Sequence, residues 1–74
     1  NRYEEAAHDF ELCIAYDEED DPLNYYNTAQ MFIAAKNKLK AKLYLQMFIA
    51  NANRLEDKKS AAQLISKAKE QLKQ

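Results

Sequence analysis

The chain of 74 residues is 47% hydrophobic and 31% charged, and it contains one cysteine, one proline and no glycine. This length allows one domain or part of one, with only about 60% of the unfolded surface buried on folding. Because helix-breaking residues are so scarce, the composition predicts an all-α fold, and a single cysteine excludes an internal disulfide.

Charge and hydropathy limit the classes of partner. The formal net charge is −1, which gives the domain as a whole no attraction for nucleic acid. No apolar run approaches the ~20 residues that a membrane span needs, and no signal peptide is visible. We therefore expect no nucleic-acid partner, no membrane insertion and a cytoplasmic location. The chain opens inside a helical pattern, which is typical of a segment cut from a longer protein.

The first predicted helix runs from about Tyr3 to Tyr16 and ends in an acidic run, residues 17–21, where the helix dipole disfavours negative charge. Cys13 falls on the apolar stripe and is predicted to be a small core residue. His8 is predicted at the surface, and its spacing from Cys13 favours neither a metal site nor a nucleophilic pair. The acidic run lacks the glycine and spaced ligands of a calcium loop, so a solvated linker is favoured over a cation site.

The second predicted helix has a clear start. Asp21 can cap it and Pro22 suits its first position, and the helix extends to about Lys36. Its side chains form two adjacent stripes: Tyr25, Ala29 and Phe32, and Tyr26, Gln30 and Ile33. Two usable faces are typical of an inner helix in a stack. Asn37 is predicted to be the left-handed residue that closes the helix, since glycine is absent.

Two further helices follow. The third covers about 39–52 and, because the link before it is short, should run antiparallel to the second. Its predicted buried face comprises Ala41, Tyr44, Leu45, Phe48, Ile49 and Ala52. Asn51, Asn53 and Arg54 are predicted to form its fraying end and the next loop. The fourth helix starts near Asp57, a plausible cap, and runs to about Leu72 with one apolar stripe, as expected of a terminal capping helix.

A pattern in the first helix recurs in the third, about one repeat later. Tyr3, Ala6, Ala7, Phe10, Cys13 and Ile14 correspond to Lys38, Ala41, Lys42, Leu45, Phe48 and Ile49. The matched small residues Ala6 and Ala41 are each followed four positions later by a large one. Self-similarity at a period of roughly 34 residues indicates stacked helical hairpins, which mostly bind other chains.

These residues resemble tetratricopeptide (TPR) repeats. The first helix resembles the second helix of such a repeat, and the next two resemble a complete repeat, with Tyr25, Thr28, Ala29, Phe32 and Ala41 at its motif positions. Ala29 stands where the family has glycine, and Phe48 where it has a second small residue. The order from Asp21 to Gln30, with a final capping helix, is also similar to the C-terminal third of type III secretion chaperones for translocator proteins. Those chaperones hold an extended client segment in a concave groove.

The resemblance implies a groove for a partner protein or peptide. The positions that would line it are Leu23, Tyr26, Asn27, Gln30 and Ile33. Tyr26 offers rigid contact area with a polar tip, and Asn27 can bond a peptide backbone. Alternatively, the fourth helix or a preceding repeat covers these side chains. Basic residues that would capture a carboxylate are missing, since Leu23 and Tyr26 stand near their places.

Other interpretations remain beside this one. The stripe of Tyr3, Phe10 and Ile14 lacks a hairpin partner, which would suit self-association as a structural element. The lysine cluster Lys36, Lys38, Lys40 and Lys42 is interpreted mainly as a solvated face, with an acidic partner or phosphate as the alternative. No carboxylate pair, glycine loop or ligand cluster supports an enzyme, so no catalytic residue, metal or cofactor is predicted.

Overall fold

The computed structural model describes residues 2–18 and 21–73. It contains four α-helices: α1 (Arg2–Tyr16), α2 (Leu23–Ala34), α3 (Lys38–Asn51) and α4 (Lys58–Leu72). A short 3₁₀ turn, Ala52–Arg54, follows α3. No strand occurs within the described residues, so the prediction of an all-α fold is confirmed. In these same residues, no helix is both long and apolar enough to cross a bilayer.

Two predicted caps are present. The Asp21 carboxylate accepts a hydrogen bond from the backbone N–H of Leu23 at 3.0 Å, and Pro22 adopts helical angles (φ −57°, ψ −28°) directly after it. The Asp57 carboxylate accepts from the backbone N–H groups of Lys59 and Ser60, both at 3.1 Å. These bonds satisfy N–H groups that the first turn of a helix leaves without partners, which is why α2 and α4 begin where they do.

The turn between α2 and α3 differs from the prediction. Lys36, and not Asn37, has the left-handed conformation, with φ of 62°. The backbone N–H of Lys36 donates to the carbonyl of Ile33 at 3.0 Å, and the backbone N–H of Asn37 donates to the carbonyl of Phe32 at 2.9 Å. These are the two hydrogen bonds of a Schellman motif. Asn37 instead caps α3, since its side chain accepts from the backbone N–H of Lys40 at 3.3 Å. Capping and left-handed geometry are both typical of asparagine, and here the cap prevails.

The helices α2 and α3 pack antiparallel. Early in α2, the ring of Tyr26 lies 5.1 Å from that of Phe48, late in α3. Late in α2, the ring of Phe32 stacks on that of Tyr44, in the middle of α3, with 5.8 Å between the centroids. Ala7 of α1 lies in one buried cluster with Phe32 and with Ala41 of α3. Small residues at these crossings let the backbones approach closely, so the aromatic side chains fill the space beside them.

The larger core cluster joins α2, α3 and α4. Its buried members are Tyr25, Ala29, Leu45, Phe48, Ala52 and Ala68. Leu64, Ile65 and Leu72 of α4 pack against it from outside. The predicted buried face of α3 is confirmed, because Ala41, Leu45, Phe48 and Ala52 are buried and its two other members half-buried. α4 packs against this cluster through one face, which carries Leu64, Ile65, Ala68 and Leu72.

The orientation of α1 corrects two predictions. Cys13, predicted in the core, is exposed. Ile14, predicted on an exposed stripe, is half-buried and packs against the core cluster. Adjacent residues point about 100° apart on a helix, and α1 is rotated so that Ala7, which is fully buried, and Ile14, which is half-buried, face the core. His8 is exposed as predicted.

Candidate partner-binding face

The five predicted groove residues lie along α2 but differ in accessibility. Leu23 and Ile33, at opposite ends of α2, are 36% and 39% exposed. Asn27, between them, is exposed, whereas Tyr26 and Gln30 are half-buried. We call the surface formed by these residues and the adjoining side of α4 the α2–α4 face. Leu23 and Ile33 lie about 15 Å apart along the axis of α2, because each residue of a helix rises about 1.5 Å.

Tyr26 belongs to both the face and the core. Its ring tilts by 59° against that of fully buried Phe48, with 5.1 Å between the centroids. Aromatic pairs prefer tilted geometries of this kind. The sequence left Tyr26 open to partner contact or to cover by another helix, and the contact with Phe48 gives it a structural role.

Gln30 is engaged with α4. Its Nε2 donates to Oε1 of Gln71 at 2.9 Å, and Nε2 of Gln71 donates to Oε1 of Gln30 at 3.0 Å. The two amides thus satisfy each other across α2 and α4. The fourth helix therefore covers this part of the face, which is one of the alternatives that the sequence left open.

A cavity opens at the Ile33 end of the face, and we call it the Ile33 cavity. Its volume is about 220 Å³. It is lined by Ile33, Lys36, Lys38, Ala41, Lys42, Leu45 and Gln71. Ala41 and Leu45 are almost fully buried, so they form an apolar floor. The lysines surround that floor with positive charge.

A second cavity, of about 440 Å³, lies at the opposite end, and we call it the Leu23 cavity. It is lined by Asp21, Leu23, Arg54, Leu55, Glu56, Asp57, Ser60, Ala61 and Leu64. Three carboxylates and one guanidinium stand around its leucines. The 3₁₀ turn and the loop after it form one wall, and the sequence did not predict that these residues would meet the start of α2.

A cluster of polar side chains lies between α1 and α3. Oε2 of Glu11 accepts from the hydroxyl of Tyr44 at 2.6 Å, and Oε1 accepts from Nζ of Lys40 at 3.2 Å. Partial burial would raise the pKa of the Glu11 carboxyl, but the bonds from Tyr44 and Lys40 and the nearby His8 lower it below its usual value. Burial and the bond to Glu11 raise the pKa of the Tyr44 hydroxyl. These groups are bonded to one another and thereby join α1 to α3.

The described residues contain no group of three or more side chains able to hold a metal ion. The lysines at the Ile33 cavity were visible in the sequence as a cluster. Their association with an apolar floor was not, because Ile33, Leu45 and Gln71 come from three different helices. Comparison of the chain with protein-family models, with curated proteins and with solved structures found no match.

Proposed function

We propose that this chain is a protein-interaction module that binds a segment of a partner protein along the α2–α4 face. The observation that carries the proposal is the placement of two exposed apolar side chains, Leu23 and Ile33, each at the mouth of a cavity. Helical-hairpin stacks commonly use such faces for recognition. We extend the proposal to the TPR-type groove that the sequence resembles, and to a chaperone of the type III secretion class acting in the cytoplasm.

The spacing of the two anchors defines the partner segment. A span of about 15 Å matches about five residues of extended chain at 3.3 Å each. It also matches about ten residues of helix. Side chains near the ends of the segment would enter the two cavities. Asn27, exposed between them, would bond the backbone of the segment with its amide donors and acceptor.

The affinity should be modest. Complete burial of a leucine or isoleucine contributes about 1.5–3 kcal/mol, and both anchors are already more than half buried. The remaining gain is therefore about 1 kcal/mol at each end. Ordering the bound segment opposes this gain, so binding at micromolar strength or weaker is expected.

The test is a selection of peptides on the purified chain from a random twelve-residue phage library. Selected peptides are measured by calorimetry against the wild type and against the double variant L23D/I33D. The matched control is L39D/L43D, because Leu39 and Leu43 are exposed leucines of α3 away from the α2–α4 face. Loss of binding in L23D/I33D alone supports the proposal. Peptides that tolerate L23D/I33D but not L39D/L43D would refute it.

A second candidate function is self-association through α1. Tyr3 of this helix is 54% exposed and Phe10 half-buried, although Ile14 belongs to the core. Sedimentation velocity over a hundredfold concentration range measures the stoichiometry. A stable dimer that Tyr3→Ser dissociates, with no peptide selected on the α2–α4 face, would favour assembly. A monomer at every concentration would remove this candidate.

A further inference from the structure

We infer that the Ile33 cavity receives an apolar side chain flanked by carboxylates, so the partner segment is acidic at this end of the α2–α4 face. This inference deepens the proposed function and rests on it. It is carried by the combination of a buried apolar floor with a rim of lysines that form no ion pair within the part of the chain that the structure describes.

The apolar floor of the Ile33 cavity determines which side chain of the partner, here called the anchor, can bind there. Ile33, Ala41 and Leu45 present aliphatic surface, and Leu45 is only 1% exposed although it lines the cavity. A volume of about 220 Å³ equals about seven water molecules in the liquid, at about 30 Å³ each. This space fits one large aliphatic or aromatic side chain, and it is smaller than the cavities that hold most small-molecule ligands. Displacement of water from aliphatic surface favours such a side chain.

The lysines at the rim of the cavity determine which charge the neighbouring residues of the partner should carry. Within residues 2–18 and 21–73, Lys36, Lys38 and Lys42 form no ion pair. Lys40, between them in sequence, points away and is paired with Glu11. Three lysines thus line the cavity with the apolar floor, and none of them is paired with a carboxylate of the described residues. Acidic side chains on either side of the anchor would pair with these lysines, and segments with basic side chains would be repelled.

The same features disfavour a nucleic acid. Single-stranded nucleic acids are bound by stacking on aromatic side chains along an extended basic groove. None of the side chains that line the Ile33 cavity is aromatic. The net charge of −1 also opposes a polyanion approaching the whole domain. A short acidic peptide needs only the local charge and gains the aliphatic contact.

The first experiment uses a fluorescein-labelled peptide, Asp-Glu-Asp-Leu-Asp-Glu, measured by fluorescence anisotropy at low salt. Two comparison peptides replace the acidic residues by their amides, or the leucine by serine. Because exposed pairs are each worth a few-fold in affinity, we expect the neutral peptide to bind about tenfold more weakly. The serine peptide should also bind about tenfold more weakly, since it lacks the aliphatic anchor. Equal binding of all three peptides would overturn the inference.

The second experiment changes the protein. The variant K36N/K38Q/K42Q removes the rim charges, and asparagine at the first position tolerates the left-handed conformation. The control K59Q/K67Q/K69Q makes the same change in net charge with exposed lysines that line neither cavity. Circular dichroism confirms that both variants are folded. Loss of peptide binding in the rim variant alone supports the inference, and equal loss in both overturns it. Binding of a labelled oligothymidylate as tight as that of the acidic peptide would overturn it in favour of nucleic acid.

The outcomes separate this inference from the proposed function. Selected peptides that need Leu23 and Ile33 but carry no acidic residues would leave the proposed function standing and refute the acidic specificity. Selected peptides that tolerate L23D/I33D would refute the proposed function itself.

Discussion

The paired amides of Gln30 and Gln71 provide a sharp test of how α4 closes on α2. Their two hydrogen bonds, of 2.9 and 3.0 Å, join half-buried side chains that are 41 residues apart in sequence. Each bond contributes about 0.5–1.5 kcal/mol net. Replacing either glutamine by alanine breaks both bonds, and the surviving amide can reach water because Gln71 lines the open Ile33 cavity. We therefore expect each single variant to lose about 1 kcal/mol, near the lower end of the two-bond range.

The double variant Q30A/Q71A should lose little more than either single variant, because the interaction is already absent in each. The coupling free energy from the four proteins should thus be about 1 kcal/mol. Urea denaturation followed by circular dichroism measures it. Gln46 and Gln63 are exposed and serve as controls, since their replacement by alanine should change stability by less than about 0.5 kcal/mol. A coupling energy within about 0.3 kcal/mol of zero would show that the bridge does not form in solution.

Three further predictions concern the core and the link between α1 and α3. F48A should lower the free energy of unfolding by about 3–5 kcal/mol in urea denaturation, because fully buried Phe48 leaves a cavity; L39A, at a site that is 83% exposed, is the control, and equal effects would contradict the described core. In thermal denaturation, T28V should raise the free energy of unfolding by about 1 kcal/mol, because the buried Thr28 hydroxyl has no hydrogen-bond partner among the described residues. A clear decrease in this free energy would mean that the hydroxyl is hydrogen-bonded. The pKa of Glu11 is lowered on folding, so the unfolded chain binds its proton first and this stabilisation is lost as the pH falls below the ordinary value of 4.5. The free energy of unfolding measured between neutral pH and pH 3 should fall less steeply in E11Q, and parallel profiles would refute this role.

Local rules were sufficient to predict most of the fold. The caps at Asp21 and Asp57, the proline after the first and the period of the apolar residues are all properties of neighbouring positions. They gave four helices whose bounds lie within one or two positions of those observed. The 3₁₀ turn after α3 was missed, because a tight last turn and a frayed helix end have similar sequences.

Some predictions failed because they depend on how a helix is rotated about its own axis. Others failed because one residue suits two local conformations equally well. Cys13 lies at the edge of a broad apolar stripe, and only the packing of α1 against α2 decides which edge is buried. Asn37 suits both a cap and a left-handed turn. The candidate site was only partly accessible to sequence reasoning, since the pairing of Gln30 with Gln71 joins distant positions. The two cavities likewise depend on how three helices meet.

The order of packing has a consequence for how the molecule opens. The main helix contacts join α1 to α2, α2 to α3, and α3 to α4, so the contact order is low and folding within microseconds to milliseconds is expected. The outer helices each rest mainly on one neighbour, whereas the two inner ones are held on both sides. Amide protons of α4 should therefore exchange with deuterium through partial unfolding, before those of α2 and α3. Detachment of α4 would uncover Tyr26 and Gln30 while the α2–α3 hairpin stays intact.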